Sequence, residues 1–122
     1  MHVKERKERM KEIKAYIKPH RLYDVVLSLH KVAGITGMSV TKVLGFGRGR
    51  AKDEKDKVSE GGVDMVPHLK IEIVCRDDLV EEIVSAIERA AHTGLRGDGK
   101  IYVLEVTDAV RISTGERGER AV

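Results

Sequence analysis

The sequence predicts an α+β fold with the element order β-α-β-β-α-β, the split βαβ arrangement of ferredoxin-like sandwiches. Three observations carry the prediction. Apolar and polar residues alternate as in strands in four segments, and apolar residues recur at helical spacing in two. The two kinds of segment interleave in that order. The whole chain is 122 residues, enough for a single two-layer core.

Residues 1–9, MHVKERKER, carry both signs of charge and no apolar face, so they read as a solvated extension ahead of a domain spanning 10–122. The first strand is predicted over Met10–Lys18, with Ile13, Ala15 and Ile17 on one face and Lys14, Tyr16 and Lys18 on the other. Pro19 suits the first turn of a helix, in which Leu22, Val25, Val26, Leu29 and Val32 line one side. That helix is expected to end before Gly34. Met38–Val43 predicts a second strand running toward Gly45. The polar interval from Gly45 to Val66 is too long for an ordinary hairpin connection, and loops of that length are commonly functional or disordered. Leu69–Cys75 predicts a third strand, with Leu69, Ile71 and Ile73 inward and Lys70 and Glu72 outward. Asp77 and Asp78 open a second helix where its dipole favours acids, and Leu79, Ile83, Ala86, Ile87 and Ala90 form the buried stripe. A glycine-rich turn, HTGLRGDGK, leads into a fourth strand over Ile101–Val106, followed by a polar tail containing RISTGERGER.

Two helices cover only one face of such a sheet. The other face would carry Tyr16, Val43, Val74, Tyr102 and Leu104, too apolar to leave wet, so self-association through that face is expected.

Composition narrows the function. Apolar residues make up 41% and charged residues 35% of the chain, and with one Phe and no Trp the core must be aliphatic. The net charge of +3, from 23 basic and 20 acidic side chains, is too small and too interspersed for a nucleic-acid stripe. The single cysteine, Cys75, cannot form an intrachain disulfide and reads as a small core residue. No signal peptide or membrane-spanning segment is seen, so a cytoplasmic protein is expected. The five histidines, at positions 2, 20, 30, 68 and 92, lack ligand spacing, so no metal site is assigned. No nucleophile–base pair stands out, and an enzyme is not expected.

Anion binding is better supported. Between Thr93 and Lys100, three glycines permit backbone turns that aim several N–H groups at one point, and Arg96 and Lys100 add positive charge. The plainer reading is a helix-ending glycine followed by a turn, which Gly94 alone would satisfy. A second cluster, Gly45-Phe-Gly-Arg-Gly-Arg50, is not a Walker A loop because no GK[ST] follows. Arg111-Ile-Ser-Thr-Gly115 is a third basic, glycine-bearing element.

These segments together resemble the PII signal-transduction proteins of nitrogen regulation, a family that includes ammonium-transporter regulators. The matching stretches are IKPHRLYDV, GITGMSVTKVLGFGRG, LKIEIV, DDLVEEIVSAIERAAHTGLRGDGKIYV and RISTGERGE, in family order from Met10 to Val122. The resemblance implies a homotrimer that binds ATP or ADP in clefts between subunits and contacts a regulated target protein, a membrane transporter or an enzyme, through a long T-loop. Carried across, the nucleotide B-loop is Thr93–Lys100, with Gly97, Asp98, Gly99 and Lys100 at the phosphates. Gly45, Gly47 and Arg48 would lie at the base of the T-loop near the nucleotide, and Arg111 would approach from the C-terminal loop (about 108–116) of a neighbouring subunit. The T-loop itself is roughly Arg48 to Val66. Its Arg48–Lys57 segment holds five basic and three acidic residues, and Arg50, Lys52, Lys55, Lys57 and Ser59 are its candidate partner contacts.

This chain also departs from the family pattern. Where relatives that sense 2-oxoglutarate have a glutamine, Gly49 offers no amide oxygen for magnesium; where they have a lysine, His68 is a poorer carboxylate partner. The 2-oxoglutarate site is therefore expected to be lost, and magnesium is doubtful. The tyrosine uridylylated in many relatives falls at Gly61. Ser113 replaces a C-terminal-loop arginine, which would favour a diphosphate or monophosphate over ATP. Ser59 falls where some relatives are phosphorylated, though a loop serine is usually only solvated. Two other readings stay open: a nucleotide-dependent sensor of another small anion such as bicarbonate, and a weak ATPase acting beside Lys100 and Arg48.

Overall fold

A computed structural model describes residues 9–46, 58–60 and 63–122. In chain order the elements are β1 (Met10–Ile17), α1 (Leu22–His30), β2 (Ser39–Gly45), β3 (Val58–Glu60), β4 (Val63–Arg76), α2 (Val80–Ala91) and β5 (Gly99–Val106). Single 3-10 turns, Pro19–Arg21 and Asp77–Leu79, lead into the two helices. Pro19 sits in the first of these, where its fixed φ and missing N–H cost nothing.

The sheet is antiparallel with strand order β2-β4-β1-β5, and β3 pairs only with the start of β4. Register is set by burial: Ile13 lies between Ile73 on β4 and Val103 on β5, and Ala15 lies between Ile71 and Ile101. The odd-numbered residues of β1 and β4 therefore share one face, and a slip of one residue would turn all of them to the opposite side. On that face Ile13, Ile17, Ile71 and Ile73 pack with Val25 and Leu29 of α1 and with Ile83, Ala86 and Ile87 of α2. Each fully buried isoleucine contributes roughly 2 kcal/mol of hydrophobic stabilisation. Cys75 is part of the same core. Burial, and then the nearby Asp77 and Asp78 carboxylates, raise its thiol pKa, which keeps it protonated and unreactive.

The opposite face meets the expectation. Tyr16, Val43, Val74, Tyr102 and Leu104 all project from it, half-buried or exposed, and the Tyr16 and Tyr102 rings meet edge-on at 6.1 Å.

β2 runs on to Gly45 and β5 begins already at Gly99, and the largest difference from the sequence reading is at β4. The interval expected to remain a loop as far as Val66 contains β3 and the beginning of β4, so the third predicted strand starts at Val63 rather than Leu69. The polar residues of the interval and Pro67 carry no strand signal. β1 ends at Ile17, opposite Leu69, while β2 continues beside β4 to Gly45 opposite Val66. At Pro67 the strand thus has a neighbour on one side only, an edge position where a proline is tolerated.

Candidate functional site

The connection from α2 to β5 is held by groups that come from elsewhere in the chain. α2 ends at Ala91, and the Arg21 guanidinium of the turn before α1 donates to the Ala90 carbonyl from Nε (2.9 Å) and Nη2 (2.7 Å). This satisfies a carbonyl that the helix end leaves without an intrahelical donor. Three glycines follow at positive φ: Gly94 (+83°), Gly97 (+78°) and Gly99 (+107°). Asp98 between the last two has negative φ, as does every non-glycine among the described residues. Alternation of sign from residue to residue is the backbone pattern of an anion-binding nest.

Gly99 is required for a second reason. A Cβ there would fall 1.7 Å from the Tyr16 carbonyl oxygen, so no side chain fits where β5 begins beside β1. Gly94 by contrast has room around it and serves to turn the chain out of the helix.

The loop closes on Asp98. Its carboxylate accepts the Thr93 N–H at 2.8 Å, the Gly94 N–H at 3.3 Å and the Thr93 hydroxyl. Lys18, only 6% exposed at the end of β1, places its ammonium 3.3 Å from both Asp98 Oδ1 and Thr93 Oγ1. Burial by itself pushes the Asp98 carboxyl up. The hydrogen bonds from the Thr93 hydroxyl and N–H, from Lys18 and from the Gly94 N–H outweigh it and bring the carboxyl down to about 2. Asp98, expected among the phosphate contacts, thus commits its carboxylate to the loop's own donors.

A further tie comes from β4. His68, 1% exposed, places Nε2 2.9 Å from the Gly97 carbonyl oxygen. Lys18 and the bonded role of His68 were missing from the sequence reading. Their partners lie 75 and 29 residues along the chain, and no local pattern marks such a contact.

Lys100 is exposed on the free sheet face opposite Tyr16, just beyond the loop. A cleft of about 350 Å³ opens beside Asp98, Gly99 and Lys100, floored by Ile17, Ile87 and Ile101. A lower-volume organic ligand fits a cleft of that order.

The third basic element is a hairpin joined by the Val110–Arg117 bridge, with Arg111 N–H donating to the Glu116 carbonyl at 2.9 Å. Arg111 and Ser113 are both exposed on it. Gly45 ends β2 opposite Val66. Ser59 lies in β3, its backbone paired with Asp64. Gly47, Arg48, Gly49, Arg50, Lys52, Lys55, Lys57 and Gly61 lie outside the described residues, so neither the T-loop contacts nor its glycine cluster is placed. No cluster of three metal-ligating side chains occurs among the described residues.

A sequence model of the family described as nitrogen regulatory protein P-II matches residues 10–116. The chain belongs to that family. It is 50% identical to a nitrogen regulatory protein P-II of Azospirillum brasilense over 113 residues, 93% of this chain and the full length of the relative. It is also 50% identical to nitrogen regulatory protein P-II 1 of Escherichia coli K12 over the same shares. Among solved structures, a PII protein of Arabidopsis thaliana bound to citrate superimposes with a TM-score of 0.76 at 37% identity, covering 94% of each chain. P-II proteins are signal-transduction regulators of nitrogen metabolism, and the loop 93–99, the free sheet face and the C-terminal hairpin as far as Glu116 fall inside the matched region. The extension 1–9 falls outside it.

Proposed function

We propose that this P-II protein is a non-enzymatic regulator that binds ATP or ADP at the loop 93–100, with AMP a further candidate, and signals occupancy to a partner protein through the segment 48–66. The observation that carries the reading is the preformed loop: two left-handed glycines flank Asp98, and Asp98 is locked to Lys18 and Thr93. A phosphate then meets backbone already in position, which lowers the ordering cost of binding. Lys100 and Arg96 supply positive charge at its edges.

The apolar free face supports assembly as the homotrimer typical of the family, and Arg111 would then reach the nucleotide from an adjacent subunit. No helix among the described residues is long and apolar enough to cross a membrane, which accords with a cytoplasmic regulator acting on a transporter or enzyme. Burial of His68 against the Gly97 carbonyl supports loss of the 2-oxoglutarate site, because the imidazole is already committed within the chain.

Calorimetric titration with ATP, ADP and AMP tests this reading, each with and without 2-oxoglutarate or bicarbonate. Adenine-nucleotide binding that weakens about tenfold or more in Lys100→Ala and is indifferent to 2-oxoglutarate is expected. Absence of binding in the native protein refutes the site. Strong cooperativity between 2-oxoglutarate and Mg-ATP refutes loss of the second site, and a bicarbonate response makes the protein a sensor of that anion. Phosphate release that persists after Lys100→Ala would place any ATPase activity elsewhere.

A further inference from the structure

The His68 contact has a geometric consequence for the loop. A carbonyl can only accept, so the 2.9 Å contact makes His68 Nε2 a protonated nitrogen that donates to Gly97. Nδ1 is buried without a hydrogen-bond partner. Burying an unpaired polar nitrogen is costly, and the Nε2 bond to Gly97 is the side chain's one hydrogen bond that offsets it. The Gly97 carbonyl and the Asp98 N–H belong to one planar trans peptide, since no cis bond occurs among the described residues. In a trans peptide the C=O and N–H point in opposite directions. Holding the carbonyl toward His68 therefore directs the Asp98 N–H to the other side. At Gly97, with no Cβ and φ of +78°, the plane is otherwise easily rotated.

We infer that His68 is a positioning residue that sets the orientation of the 97–98 peptide and thereby couples the phosphate loop to β4, the strand leading back to the T-loop segment. His68 lies two residues past Val66, within a ladder that runs Gly45↔Val66, Leu44↔Pro67 and Val43↔His68. The same strand pairs with β3 through Met65 and Val63. A shift of this end of β4 moves the imidazole relative to Gly97 and frees the peptide to rotate. A ligand that requires the Asp98 N–H in its present direction holds that end of β4 in return, because coupling between sites is reciprocal. The inference rests on the nucleotide reading for its ligand, while the loop–strand tie itself is present without one.

The experiment uses the full chain as His68→Leu, which removes the donor and keeps apolar bulk, and His68→Gln, whose amide N–H can replace Nε2–H. ATP and ADP affinities are read by calorimetry, and backbone amide shifts and exchange are read by NMR with and without nucleotide. His68→Leu is expected to weaken binding about tenfold. It should also shift the Gly97 and Asp98 amides and abolish any nucleotide-induced slowing of exchange at Met65 and Val66. His68→Gln should restore most of each. A His68→Leu protein with native affinity and native amide shifts overturns the inference. If the native protein binds no adenine nucleotide, the proposed function fails, and the ligand-free shifts at 97, 98, 65 and 66 still decide the coupling. If His68→Leu does not fold, the native imidazole decides: an Nδ1–H tautomer overturns the assignment, and a protected Nε2–H supports it.

Discussion

The loop 93–100 and the hairpin 110–117 are both short, carry a net positive charge and bear glycine, yet they are built in different ways. The first is fastened by side chains from distant places, Lys18 just after β1 and His68 of β4, while Arg21 ahead of α1 ties down the helix end that leads into it. The second is held by its own residues and near neighbours. Arg111 and Glu116 pair through the backbone, the Thr114 hydroxyl donates to Glu116, and Arg117 pairs with Asp108. Ile112 at its tip is 99% exposed. A loop tied to the core is organised before any ligand arrives. A hairpin tied to itself and its near neighbours presents its residues outward, as the proposed contribution to a neighbouring subunit's site would require.

The largest effect expected from breaking this contrast is at Gly99. Gly99→Ala forces a side chain onto the Tyr16 carbonyl at a φ of +107°, and should cost about 4 kcal/mol in denaturant unfolding and abolish nucleotide binding. The corresponding change in the hairpin, Gly115→Ala, meets no atom within 4 Å and should cost only the local φ penalty, about 1 kcal/mol. Comparable losses from the two substitutions would erase the distinction.

Asp98→Ala comes next. It strands the buried Lys18 ammonium and three loop donors, and a loss of about 3 kcal/mol is expected. The native carboxyl predicts the pH dependence of the same feature. Its folded pKa lies below the ordinary value of 3.8, so its contribution is complete above about pH 4 and disappears as pH falls through about 2. With the side chain 25% exposed, the amount is about 2 kcal/mol, read as a drop in unfolding free energy that Asp98→Ala lacks. An unchanged acid profile in the variant would remove Asp98 from the account of loop order.

The smallest effect sharpens the comparison from the other side. Arg111→Ala and Ile112→Ala touch exposed side chains and should leave stability within about 0.5 kcal/mol. Arg111→Ala should nonetheless weaken nucleotide binding, about tenfold, if the hairpin serves a neighbouring subunit. A full loss of stability in either variant would show that the hairpin is part of the core after all.

Much of this architecture was legible from residue spacing. The alternation of Ile13, Ala15 and Ile17 and the stripe of Ile83, Ala86, Ile87 and Ala90 report a period that burial itself imposes, so strands, helices and the covered sheet face were all readable. The glycines of 93–100 were legible as well, because a glycine-dense turn beside lysine and arginine is a local signal. The start of β4 was not: Pro67 suggests a break, and only the early end of β1 explains why a strand passes through it.

Sequence alone therefore determined the order of the two helices and the four sheet strands other than the short β3, the core face, the family and the location of the loop, since each depends on residues near one another in the chain. Tertiary structure decided what the residues of that loop do. It turned Asp98 inward toward Lys18, set Gly99 against Tyr16 and brought His68 to Gly97. Those contacts join residues far apart in sequence, and their geometry exists only once the sheet has aligned β1, β4 and β5 side by side.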